Sequence, residues 1–124
     1  MAYTMAQEHT KAIDAWSDAT RFAEDGTIFY RLAHALQSED RHREAIKAYD
    51  DALDAGGMDD ESEIHFWKGN SLLQLNEYDA AIEAFRESRK GENKTRRRTA
   101  DQYIKYIRSE KQRIAALEAM TAGL

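Results

Sequence analysis

A chain of 124 residues is long enough for one domain built around one continuous core. With 42% hydrophobic and 33% charged residues it is too apolar for a disordered segment, and no apolar run approaches the ~20 residues that cross a bilayer. Cysteine is absent, which excludes disulfides and thiolate chemistry and leaves the redox compartment open.

The net charge of −5 is unevenly distributed. Residues 1–93 carry 10 Lys/Arg against 20 Asp/Glu, a balance of −10, whereas residues 94–124 carry 8 against 3, a balance of +5. This split describes an acidic body and a basic terminal helix that neutralises it. Nucleic acid is not an expected partner, because the body would repel phosphates. The absence of proline and the abundance of alanine, leucine, glutamate, lysine and arginine predict an all-helical chain.

The predicted helices, in chain order, cover 4–24, 27–39, 42–55, 61–75, 78–90 and 95–120. The opening residues Met1-Ala2-Tyr3-Thr4 lack the basic start and apolar stretch of a secretory signal. In the first helix, Ala12-Ile13-Asp14-Ala15-Trp16 introduces a pattern that returns as Ala45-Ile46-Lys47-Ala48-Tyr49 and as Ala81-Ile82-Glu83-Ala84-Phe85. Small residues follow the aromatic one on the same helical face, at Ala19, Ala52 and Ser88. In the second and fourth helices, Ala33 with Leu36 and Gly69 with Leu72 hold equivalent places upstream of Ala45 and Ala81. A helix, a tight turn and a second helix occupy that separation. Glycine within a helix costs roughly 1 kcal/mol relative to alanine, so Gly69 calls for close helix–helix approach. Gly56-Gly57 and Gly91-Glu92-Asn93 are expected to end the third and fifth helices. The sixth is a long helix with Ala100, Tyr103, Ile104, Ile107, Ile114 and Leu117 along one stripe.

These residues resemble the tetratricopeptide repeat, a helix–turn–helix family with a period of about 34 residues. The segment from His65 to Phe85 carries the likeness most fully, with Gly69, Leu72, Tyr78, Ala81 and Phe85 on the family's signature positions. Phe29 to Ala52 carries it more loosely, through Ala33, Leu36, Ala45, Tyr49 and Ala52. The departures are the missing proline after the second helix, His65 in place of an aromatic residue, and a longer loop at Ala55 to Asp60. The resemblance implies an all-α fold of antiparallel helix–turn–helix hairpins stacked as a short superhelix. In that arrangement 4–24 is a second-helix half-repeat, 27–55 and 61–90 are repeats, and 95–120 is a capping helix, all within a single domain of residues 1–124. The N-terminal end then reads as unfinished: either the array continues before it, or another molecule, such as a second copy, covers Ile13 and Trp16.

In this family the first helices of successive hairpins line a groove that binds peptide or protein segments. By position, the resemblance assigns Thr27, Tyr30, Arg31, His34, Gln37 and Ser38 to that groove from one repeat. It assigns Ser62, Phe66, Asn70, Leu73 and Gln74 from the next, and Arg97 from the capping helix. Tyr30, Phe66 and Asn70 stand out, because folding does not require aromatic or amide side chains there. Chaperone-binding members grip a C-terminal carboxylate with paired lysines and asparagines. Tyr30 and His34 occupy two of those places here, so a carboxylate clamp is not implied.

The basic run Lys94, Arg96, Arg97, Arg98 has two readings. It pairs with Glu83, Glu87 and Glu92, or it docks an acidic partner segment at that end of the groove. The histidines at 9, 34, 42 and 65 lack metal-ligand spacing, and no nucleophile elbow or phosphate loop is present. No enzyme activity, metal or cofactor is therefore expected. The leading expectation is a protein-binding scaffold or adaptor module, and the competing one is a structural spacer that self-associates through its ends. The stretch Thr99 to Glu110 also faintly resembles the closing helix of bacterial repeat proteins associated with TonB systems, which would imply a periplasmic setting and an envelope partner.

Overall fold

A computed structural model describes residues 2–123, with side chains for Glu8 and for residues 10–123. The side chain of His9 lies outside the described set. Six α-helices follow one another, α1 (Ala2–Ala19), α2 (Thr27–Ser38), α3 (His42–Ala55), α4 (Glu61–Gln74), α5 (Tyr78–Ser88) and α6 (Lys94–Ala122), with no strand among the described residues. Each helix packs chiefly on its neighbours in sequence, and α2–α3 and α4–α5 are the most extensive pairs. The fold is thus all-α, built from helical hairpins and closed by a long C-terminal helix. No described helix is long and apolar enough to cross a membrane.

Local chemistry sets the ends of the helices. The Asp25 carboxylate accepts from the Thr27 N–H at 2.8 Å, Asp60 accepts from the Ser62 N–H at 3.1 Å, and the Asn93 side chain accepts from the Arg96 N–H at 2.9 Å. Asp60 and Asn93 are the caps of α4 and α6, whereas Asp25 lies one residue before Gly26, the cap position of α2. The turns within the two hairpins share one construction. Asp40 and Asn76 both take φ 58°, the left-handed region that Asx residues tolerate. Past them the Arg41 N–H reaches back to the Leu36 carbonyl at 2.9 Å, and the Glu77 N–H to that of Leu72 at 3.0 Å. Carbonyls left open at the helix end are satisfied by this back-bonding. Gly56 and Gly57, at φ 69° and 77°, end α3.

The recurrent small-plus-aromatic face forms the core. Ala45, Tyr49, Ala52, Ala81 and Phe85 are all 0% exposed, with Ser88 at 1%. Gly69 answers the expectation of close approach, since a Cβ built on it would lie 2.9 Å from the Phe85 ring. Tyr49 and Phe85 anchor two hydrophobic clusters, one around α1–α3 and one around α5–α6. Helix α4 joins them: Trp67 packs against the first cluster and Phe66 against the second. A polar bridge reinforces the junction. The Tyr49 hydroxyl donates to Gln37 Oε1 at 2.8 Å, and Gln37 Nε2 donates to Ser71 Oγ at 2.9 Å and to the Trp67 carbonyl at 3.0 Å. His42 Nδ1 lies 3.1 Å from the same Ser71 oxygen. Among the described residues no buried side-chain nitrogen or oxygen lacks a partner.

Three expectations need correction. The first helix stops at Ala19 and passes into a 3-10 turn, Thr20–Phe22, instead of continuing to 24. Phe22 is left 80% exposed there. Ile13 is covered within the chain, at 5% exposure, so no second molecule is needed to bury it. Trp16 stays half-buried beneath the Arg31 guanidinium, 5.5 Å from the ring centroid. On α6, Ala100, Ile104 and Ile107 are buried as expected, but Leu117 is 48% exposed. At 29 residues α6 is about 43 Å long, against about 17 Å for the 11-residue α5, so its last turns outrun the helix they would pack on.

Candidate functional site

Five rings form a row across α2, α4 and α6. Tyr30 meets His34 edge-on at a centroid separation of 4.5 Å, and His34 meets Trp67 at 5.2 Å. Trp67 meets Phe66 at 5.2 Å, and Phe66 lies 6.2 Å from Tyr103. Each of the five is half-buried, with part of its surface open to solvent. The core rings beneath, Tyr49 and Phe85, are closed completely. Helical spacing explains the row. Tyr30 and His34 are one turn apart on α2, while Phe66 and Trp67 are adjacent on α4 and reach toward opposite neighbours.

Polar groups border one end of the row. Burial, and then the neighbouring Glu63 carboxylate, push the Tyr30 hydroxyl well above the usual tyrosine pKa. Arg96 contacts Asp60 at 2.7 Å and lies 4.0 Å from Glu63, with its side chain only 15% exposed. The Ser62 hydroxyl and the Arg96 guanidinium both donate to Asp60, and together they hold its carboxyl below the ordinary range despite some desolvation. The second Asp60 oxygen thus ties the start of α6 to the cap of α4.

The residues expected from sequence divide into groups. Tyr30, His34 and Phe66 lie in the row. Asn70 is half-buried beside it and donates to the Phe66 carbonyl at 3.1 Å, Leu73 packs on the second cluster, and Gln74 is exposed. Arg31 leaves the row and turns to Trp16 on α1. Gln37 has both ends of its amide engaged in the bridge between hairpins. Ser38 bonds the His34 carbonyl of its own helix, and Ser62 is buried against Asp60. Arg97 is exposed, and it is Arg96 that folds onto the neighbouring hairpin. Glu83 and Glu87 pair with Arg86 and Lys90, so they do not neutralise the basic run. Trp67, Tyr103, Glu63 and Arg96 escaped the positional argument. Trp67 was legible as the neighbour of Phe66, and Tyr103 as part of the apolar stripe of α6, whereas Arg96 depended on how the first turn of α6 meets α4.

Burial lowers the His34 pKa, an effect that the Glu63 carboxylate only partly opposes. A histidine held neutral by the fold contributes stability in full above its unfolded pKa of about 6.5, and loses it as pH falls through that value toward the depressed folded one. The carboxylates with shifted values are displaced downward and titrate at lower pH. The melting temperature is therefore expected to fall between pH 7.5 and 5.5. His34→Gln should flatten that slope, and an unchanged slope would remove His34 as its source. His65, shifted the same way by burial, supplies the remainder.

The family model for the tetratricopeptide repeat matches residues 30–94, from the first ring of the row to the start of α6. That is just over half of the chain. The chain belongs to the tetratricopeptide repeat family. Members of this family serve as protein–protein interaction modules, and enzymatic activity is not typical of them. No curated protein is similar enough to the chain to count as a match. The family match stops where α6 begins, so it lends no support to the likeness with TonB-associated repeat proteins. Within the matched tetratricopeptide segment lie four of the five rings, Tyr30, His34, Phe66 and Trp67, and Tyr103 extends the row beyond it.

Proposed function

We propose that the aromatic row receives an extended segment of another protein, so that the chain acts as a tetratricopeptide adaptor. The observation that carries this reading is an unbroken line of half-buried rings across α2, α4 and α6, above the closed core rings of Tyr49 and Phe85. Half-open aromatic rings offer a large, rigid contact area at low entropic cost, which is why they dominate the energetic centres of interfaces. Tyr30, Trp67, Phe66 and Tyr103 would take apolar side chains of the segment. Asn70 and Gln74 would bond its backbone, and Glu63 with Arg96 would bias its direction.

Peptides selected from a random display library provide the test. Their amide chemical-shift footprint should cover Tyr30, Phe66, Asn70 and Tyr103. Asn70→Ala should weaken them about fivefold to tenfold, on the scale of one lost interfacial hydrogen bond, without moving the melting temperature. Footprints confined to α3 and α5, or no peptide binding tighter than about 1 mM, would exclude the groove.

A further inference from the structure

The seam between α5 and α6 has a second face that the aromatic row does not use. Arg89 pairs with Asp101 at 2.7 Å near one end and Lys111 pairs with Asp79 near the other, so the two helices run antiparallel. Between these ties lies a cleft of about 480 Å³ whose walls include Arg86, Arg89, Lys105 and Arg108, with Asp101 the one carboxylate among the described residues that line it. Ile104, 6% exposed, contributes an apolar base. At roughly 100° per residue, Lys105 and Arg108 sit about 140–160° around α6 from Tyr103, so the cleft opens away from the row.

The cations of this cleft are not equally neutralised. Arg89 is paired with Asp101, and Arg86 with Glu83 at 2.9 Å. Lys105 and Arg108 are exposed and have no ion pair among the described residues. One helical turn separates them, which brings their charges together at the rim. Ser109 and Gln112 continue the wall with neutral hydrogen-bonding groups.

We propose that this cleft docks a short acidic segment of a partner protein, with carboxylates on Lys105 and Arg108 and an apolar side chain over Ile104. Arginine binds a carboxylate through two parallel hydrogen bonds, and lysine binds it as a point charge. Charge complementarity also selects the class of partner. The acidic body repels a long polyanion or a broad anionic surface, which must extend beyond the cleft. A short segment remains within the ~8 Å over which charge is felt at physiological salt. This surface is separate from the row and does not depend on it.

The probe is a fluorescein-labelled decapeptide of alternating glutamate and leucine, followed by anisotropy against the full chain, with a glutamine-for-glutamate peptide as comparison. The glutamate peptide is expected to bind at least tenfold tighter, and to weaken as salt rises from about 50 to 300 mM. The double variant Lys105→Glu, Arg108→Glu should lose about tenfold with its melting temperature preserved. Arg97→Glu, Arg98→Glu, with the same charge change on the same helix, should bind as the parent does. Asn70→Ala should leave this binding unaltered, which separates the cleft from the groove. Equal loss in both charge variants would overturn the proposal. So would tighter binding of a single-stranded oligonucleotide or of phosphatidylserine vesicles. Self-association abolished by Lys105→Glu, Arg108→Glu in sedimentation velocity would overturn it as well.

Discussion

Replacing Phe85 by alanine is expected to destabilise the fold by about 3–5 kcal/mol, a large part of the roughly 5–15 kcal/mol that holds a domain together. The ring is fully buried where three helices converge. It stacks on Tyr103 of α6 at 5.0 Å and 19°, meets Phe66 of α4 edge-on at 5.8 Å, and lies against the bare backbone of Gly69. Removing it opens a cavity that none of these rigid neighbours can collapse into. Urea denaturation should show a lower midpoint with little change in slope. A double-mutant cycle sharpens the test. Gly69→Ala alone should destabilise, because its methyl would sit 2.9 Å from the ring. In the Phe85→Ala background the same methyl should stabilise, by filling space and by the roughly 1 kcal/mol that alanine gains over glycine in a helix. Additive effects would show that Gly69 is not there for the ring.

Gly26→Ala should cost about 2–3 kcal/mol, contrary to the usual gain when glycine in a helical conformation becomes alanine. Gly26 precedes α2 with φ −72°, which any residue can adopt, so the backbone itself does not demand glycine. The space does. A Cβ there would fall 2.4 Å from the carbonyl oxygen of Ala52, a backbone atom inside α3 that cannot swing aside. On the other side the Gly26 N–H is held by the Gly56 carbonyl at 2.7 Å, and a Cβ on Gly57 would fall 2.8 Å from that of Asp25. The loop after α3 is thus fastened to the turn before α2. Gly123→Ala serves as the control: its methyl meets nothing nearer than 3.6 Å and should be close to neutral. Thermal melts of the two variants compare directly, and similar melting temperatures would refute the tight contact at Gly26.

The functional surface was less legible than the fold. Tyr30, His34 and Phe66 follow from the family resemblance, which assigns the groove by position along the first helix of each hairpin. Trp67 has no place among those positions, yet it is the ring that bridges α2 and α4. Gln37 was placed in the groove by the same rule and proves to be engaged inside the stack. Position on one helix does not say what the next helix offers as a partner, and the buried Tyr49 hydroxyl required an acceptor.

Periodicity alone determined the hairpins. The alternation of small and aromatic residues at Ala45, Tyr49, Ala52, Ala81, Phe85 and Ser88 is a property of each helix face, and burial of that face drives the stacking. What only the tertiary structure decided was the rotation of α6. Its angle about the helix axis puts Arg96 on Asp60, Tyr103 on Phe85, and Lys105 with Arg108 at an open cleft, while Arg97 is left in solvent. A difference of one residue is a turn of about 100°, finer than a hydrophobic stripe resolves by itself. The neighbouring helices settle it by the shape of the surface they present.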